Sequence, residues 1–76
     1  MLIMNQNRNT LVNMRNVTAI ELTLLGDGNT NEIYATLIDE SPTTLGVYAE
    51  EKRAKEIFLK LAEIQGGTST FYMPEE

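Results

Sequence analysis

A chain of 76 residues with no cysteine, histidine or tryptophan folds without disulfides, thiolate zinc sites or an imidazole base. At this length folding hides only about 60% of the unfolded surface, so the stability margin is thin and oligomerisation would help. A composition of 42% hydrophobic and 22% charged residues still fits one globular domain over residues 1–76, and a net charge of −5 repels nucleic-acid phosphates and anionic membranes.

The elements follow in chain order. Leu2-Ile3-Met4 is a short apolar run, and Asn5-Gln6-Asn7-Arg8-Asn9 after it favours a turn, because asparagine tolerates left-handed backbone. Thr10-Leu11-Val12 predicts a second strand returning antiparallel to the first. From Val17 the period is two: Ile20, Leu22 and Leu24 lie on one side of a strand, with Glu21 and Thr23 on the other. Leu25 to Asn31, rich in glycine, asparagine and aspartate, reads as a hairpin loop. Glu32 to Asp39 predicts a central strand with Ile33, Ala35 and Leu37 on one face and Tyr34, Thr36 and Ile38 on the other. Asp39-Glu40-Ser41-Pro42 is a turn, and Thr43 to Tyr48 a strand with Leu45 and Val47 on one side, where Gly46 marks a bulge or a close contact.

The period then becomes helical over 50–65. Ala54, Ile57, Phe58, Leu61 and Gln65 form a stripe that Leu59 and Ile64 widen, and Glu51 with Lys55 and Glu56 with Lys60 are favourably ordered pairs. Gly66-Gly67 is a helix stop. Thr70-Phe71-Tyr72-Met73 predicts a last short strand before Pro74. The expected fold is therefore α+β: a small antiparallel sheet of five or six strands, a β-meander, covered on one face by one helix. The other face stays polar, curls, or meets another subunit.

Little here carries chemistry. Ser41 precedes a proline and reads as a turn residue, Ser69 has no evident base, and the pairs Asp39-Glu40 and Glu50-Glu51 read as solvated acids and a helix start. The loop from Asp27 begins like a calcium loop but has Glu32 and Ile38 where glycine and a bidentate glutamate are required. No cofactor, metal site or catalytic residue is expected. Nothing resembles a membrane span or signal peptide, and the absence of cysteine suggests a cytoplasmic protein. The methionines at 1, 4, 14 and 73 read as core filler.

Charge is segregated. Residues 21–51 carry acids and no base, while bases concentrate at Arg8 and Arg15 and over 52–60. The acidic stretch points to a protein-binding surface, with Glu21, Asp27, Glu32, Asp39 and Glu40 as candidate partner-binding residues. The alternative is a small-ligand or nucleotide sensor that sets Arg8, Arg15 or Arg53 against phosphate. Weak nucleic-acid binding through Arg8, Arg15, Tyr34, Phe71 and Tyr72 is a third reading, disfavoured by the net charge.

Asn5-Gln6-Asn7, Asn16-Val17, Leu45-Gly46-Val47-Tyr48 leading into Arg53-Ala54-Lys55-Glu56, and the ending Tyr72-Met73-Pro74-Glu75 are also shared traits. In them the chain resembles a family of short uncharacterised proteins from prophages and mobile elements of Firmicutes. Where that family places threonine before the acidic helix start, this chain has Ala49, a lost side-chain cap that costs about 1 kcal/mol. The resemblance implies a bacterial or phage cytoplasmic origin and action on a host or phage protein. Together these expectations describe a non-enzymatic interaction module, an inhibitor or adaptor, with self-association in prospect.

Overall fold

The computed structural model describes residues 1–64 and 70–76 and divides its strands between two three-stranded sheets. The first contains β1 (Leu2–Met4), β2 (Leu11–Asn13) and β6 (Thr70–Tyr72), in the order β2-β1-β6. The second is the meander β3 (Val17–Leu24), β4 (Asn31–Leu37) and β5 (Pro42–Tyr48), in that order, followed by the helix α1 (Glu51–Glu63). The α+β class holds, whereas the single sheet of five or six strands is corrected to two sheets of three.

The reason lies at Met14–Asn16. There the Asn13 side chain accepts the Arg15 N–H at 3.0 Å and the chain makes a 3-10 turn, so β3 starts a new sheet and does not pair with β2. β1 and β2 pair antiparallel as expected, but β6 joins β1 in parallel, Ile3 standing level with both Val12 and Phe71. An all-antiparallel arrangement is thereby corrected as well.

Both sheets close on one core. Ile3, Val12 and Met73 from the terminal segments cluster with Ile33, Ala35 and Leu45 of the meander and with Ala54, Ile57 and Leu61 of the helix. The helix is thus not the sole cover. Its stripe is narrower than predicted: Leu59 is 60% exposed, because at 100° per residue it points well away from Ala54, Ile57 and Leu61. Phe58 is partly buried against the core, and Gln65 and Gly66-Gly67 lie outside the described residues. The helix cap is Glu50 and not Ala49; its carbonyl accepts the Ala54 N–H at 3.0 Å, and its side chain makes no capping bond.

On β4, Asn31, Ile33 and Ala35 face the helix, while Ile38 falls past the strand end and is exposed. On β5 the predicted pairing of Leu45 with Val47 on one side fails. Ile33 stands opposite Gly46 but Tyr34 opposite Thr44, so Leu45 is the extra residue of a bulge, and alternation restarts beyond it. Leu45 is consequently buried and Val47 exposed. Gly46 fulfils both halves of its expectation, because the Tyr48 ring lies directly against it. Among the described residues, no helix is long and apolar enough to cross a membrane.

Candidate functional site

The helix covers one face of the meander and leaves the other open. On β3, Glu21 and Thr23 point to the open face, as alternation from Ile20 and Leu22 requires; on β4 this face carries Glu32, Tyr34 and Thr36. Register does the rest: Glu21 stands directly opposite Tyr34 and Thr23 opposite Glu32, while Thr44 of β5 donates its hydroxyl to the Glu32 carboxylate. Partial desolvation on the sheet, then the charge of Glu21, pushes the Tyr34 phenol above its ordinary range. A tyrosine with carboxylates on two sides suits a cationic side chain laid across the ring.

The other three predicted acids are not part of this cluster. Asp27 sits in the β3–β4 turn and Asp39 and Glu40 in the β4–β5 turn, at opposite ends of β4. Asp27 accepts the N–H groups of Asn29 and Thr30 at 2.9 and 3.0 Å and the Thr30 hydroxyl at 2.6 Å. Asp39 accepts the N–H and hydroxyl of Ser41 at 3.0 and 2.6 Å. These are the side-chain bonds by which aspartate makes turns. Glu40 takes a φ of 70°, the left-handed position that completes the second turn.

Those bonds have a pH signature. The Thr30 hydroxyl chiefly, and then the Asn29 N–H, hold the Asp27 carboxyl below its ordinary range, and the Ser41 hydroxyl and N–H do the same for Asp39. A depressed folded pKa adds stability that is present above the unfolded value and lost as pH falls through the folded one. Melting temperature should therefore decline below about pH 4, and Asp27→Asn with Asp39→Asn should flatten that decline. Thermal melts at stepped acid pH decide it; parallel acid limbs in both proteins would reject the assignment.

Of the three arginines, Arg8 and Arg53 converge and Arg15 does not. Arg8 adopts a φ of 61°, a position the turn sequence had suggested for an asparagine. Its guanidinium donates to the carbonyls of Met73 at 2.8 Å and Asn5 at 3.2 Å, lies 5.5 Å from the centre of the Tyr72 ring, and approaches the Glu75 carboxylate to 3.8 Å. The next main-chain oxygens are taken in turn: that of Pro74 by the Tyr48 hydroxyl at 2.7 Å, that of Glu75 by the Gln6 amide at 2.9 Å, and that of Glu76 by Arg53 at 3.1 Å. Four side chains from the first turn, β5 and the helix thus clasp residues 73–76. Arg15 lies apart, in the 3-10 turn.

Beside the clasp is a cleft of about 360 Å³ lined by Val47, Tyr48, Ala49, Glu50, Arg53 and the Glu75-Glu76 end. A phosphate entering it would meet Glu50, Glu75 and Glu76 and would have to draw Arg53 from its carbonyl. Nothing local in the sequence marks Gln6, Tyr48 and Tyr72 for this assembly; a glutamine in a polar turn gives no signal of partners 41 and 69 positions away. Among the described residues, no group of three carboxylates gathers as a metal-holding cluster. No protein-family model matches the chain, and neither the curated proteins nor the solved structures compared with it give a match.

Proposed function

We propose that this chain is a non-enzymatic protein-interaction module of phage or mobile-element origin. In this reading it acts in the cytoplasm as an inhibitor or adaptor, binding a basic host or phage protein through the open face of the meander. The observation that carries the reading is the placing of Glu21 and Glu32 around Tyr34 on the face the helix leaves bare. The net charge of −5 supports it by steering a basic partner, and tyrosine is among the residues that anchor interfaces. The origin rests on the family resemblance of the sequence.

Such a complex weakens with salt and depends on the two carboxylates. The test passes one bacterial lysate over the immobilised chain and over its Glu21→Gln, Glu32→Gln variant. A protein held by the first, released by salt and not held by the second is the expected result. Retention indifferent to both salt and substitution overturns the proposal.

The second reading, a ligand or nucleotide sensor using Arg8, Arg15 and Arg53, draws support from the cleft beside Arg53 alone. Against it, Arg8 and Arg53 already serve main-chain oxygens and Arg15 is remote. Nucleic-acid binding gains nothing from an open face that carries Glu21 and Glu32.

A further inference from the structure

The two edges of the meander are treated differently. On β5 the Gln6 side chain imitates a strand: its amide oxygen accepts the Val47 N–H at 2.8 Å, its amide nitrogen donates to the Val47 carbonyl at 2.9 Å, and its main-chain N–H donates to the Leu45 carbonyl at 2.7 Å. That edge is thereby capped at Leu45 and Val47, and Pro42 at its start has no N–H to offer.

Among the described residues, the β3 edge has no such cover. The Leu25 N–H donates to the Thr30 carbonyl at 2.8 Å, which makes Leu25 and Thr30 a hydrogen-bonded pair. Alternation along the antiparallel ladder then gives Thr23, Glu21 and Ala19 the bonds to β4, and turns the N–H and C=O groups of Ile20, Leu22 and Leu24 outward. Among the described residues nothing bonds to these groups. Val17–Leu24 also contains neither lysine nor proline, the residues that usually blunt an edge, and its one irregularity is the register shift between Val17 and Ala19.

We propose that two copies of this chain join antiparallel through their β3 edges, about a two-fold axis at Leu22, to form one continuous six-stranded sheet. The occupant is a second copy because the edge is complementary to itself in the register centred on Leu22. With Leu22 opposite Leu22 of the second copy, Ile20 meets Leu24 on the helix side and Glu21 meets Thr23 on the open side. The outward N–H and C=O groups of all three leucine and isoleucine residues face one another as hydrogen-bonded pairs. An axis one residue earlier sets Glu21 against Glu21, a like-charge pair. An axis at Ile20 sets Leu22 against Thr18 and runs Leu24 past the register shift.

Side-chain shape agrees. On the helix side Ile20 borders an apolar groove of about 220 Å³ with Met14, Phe58, Leu61 and Ala62. Leu24 is 59% exposed and borders only a more polar cleft, with Asn29, Asn31 and Glu51, among the described residues. Pairing about Leu22 sets Leu24 of the second copy opposite Ile20, at the mouth of that groove, and sets the first copy's Leu24 at the other groove. The joined sheet also carries two Glu21–Tyr34–Glu32 clusters on one face, although the pairing itself does not depend on any partner for that face.

The chain has no cysteine, so an introduced thiol meets only another introduced thiol. Residues directly opposite in a non-hydrogen-bonded pair lie about 4.5 Å apart at Cα, within disulfide reach, whereas diagonal neighbours are about 7–8 Å apart. Oxidising a mixture of Glu21→Cys and Thr23→Cys chains should give chiefly the mixed dimer, with less of either symmetric one. Light scattering of the unaltered chain should report a dimer. Leu24→Lys, at an exposed position where the fold tolerates it, should weaken self-association at least about tenfold, with unchanged circular dichroism confirming the fold. A monomer at sub-millimolar concentration overturns the proposal. So does a dimer that Leu24→Lys leaves intact, or one whose cross-links show no preference for the mixed pair.

Discussion

Replacing Ile33 with alanine should remove about 2–5 kcal/mol of stability, out of the roughly 4–11 kcal/mol expected of a domain this size. Ile33 is completely buried at the middle of the central strand, with Leu22 opposite on one side and Gly46 on the other. Gly46 offers no side chain to fill the void. The helix residues beyond are fixed by their own backbone, so the cavity relaxes little, and cost rises with the volume left empty. Urea denaturation followed by circular dichroism measures the effect. Ile38→Ala supplies the contrast, since Ile38 is 64% exposed and its truncation should stay within about 0.5 kcal/mol. Equal losses at the two isoleucines would mean that Ile33 is not where the core lies.

Gly46→Ala should be nearly as damaging although it adds one methyl group. A Cβ at this position would stand 2.6 Å from the Tyr48 hydroxyl oxygen and 2.8–2.9 Å from two ring carbons. The ring has no cheap escape, because it is buried and its hydroxyl is committed to the Pro74 carbonyl at 2.7 Å. Overpacking costs about 1–3 kcal/mol, and a lost hydrogen bond about 1 kcal/mol more. A double-mutant cycle isolates the cause: in a Tyr48→Leu background, Gly46→Ala should lose most of its effect. An undiminished cost there would place the strain in the backbone and not against the ring.

What the sequence disclosed and what it hid divide along a physical line. Periodicity is a property of neighbouring residues, so β3, β4, β5 and the helix are legible in the alternation of Ile20, Leu22 and Leu24, in the run from Ile33, and in the spacing of Ala54, Ile57 and Leu61. It says nothing about which distant strands meet. Hence the parallel union of β1 with β6, and the division into two sheets, came only with the structure. The bulge at Leu45 inverts the alternation after it, which puts Val47 on the side opposite to the one its spacing from Leu45 predicts. The candidate site shows the same split. That Glu21 faces away from Ile20 follows from alternation, and that Asp27 and Asp39 are apart follows from the strand between their turns, but the position of Glu21 opposite Tyr34 depends on register. Gln6 and Arg8 owe their importance to residues at the far end of the chain.

The clasp bears on the order in which the molecule comes together. Gln6 reaches Glu75 across 69 positions, and Leu2 pairs with Thr70. The meander and helix, by contrast, are built from hairpins and adjoining segments whose loops close early and at little entropic cost. The terminal sheet therefore completes last. On a ribosome β1 and β2 wait as a lone hairpin, marginal in water by itself, until β6 has emerged. Arg8, Gln6, Tyr48 and Arg53 then act as the latch of that final step, converting a partly assembled chain into a closed one.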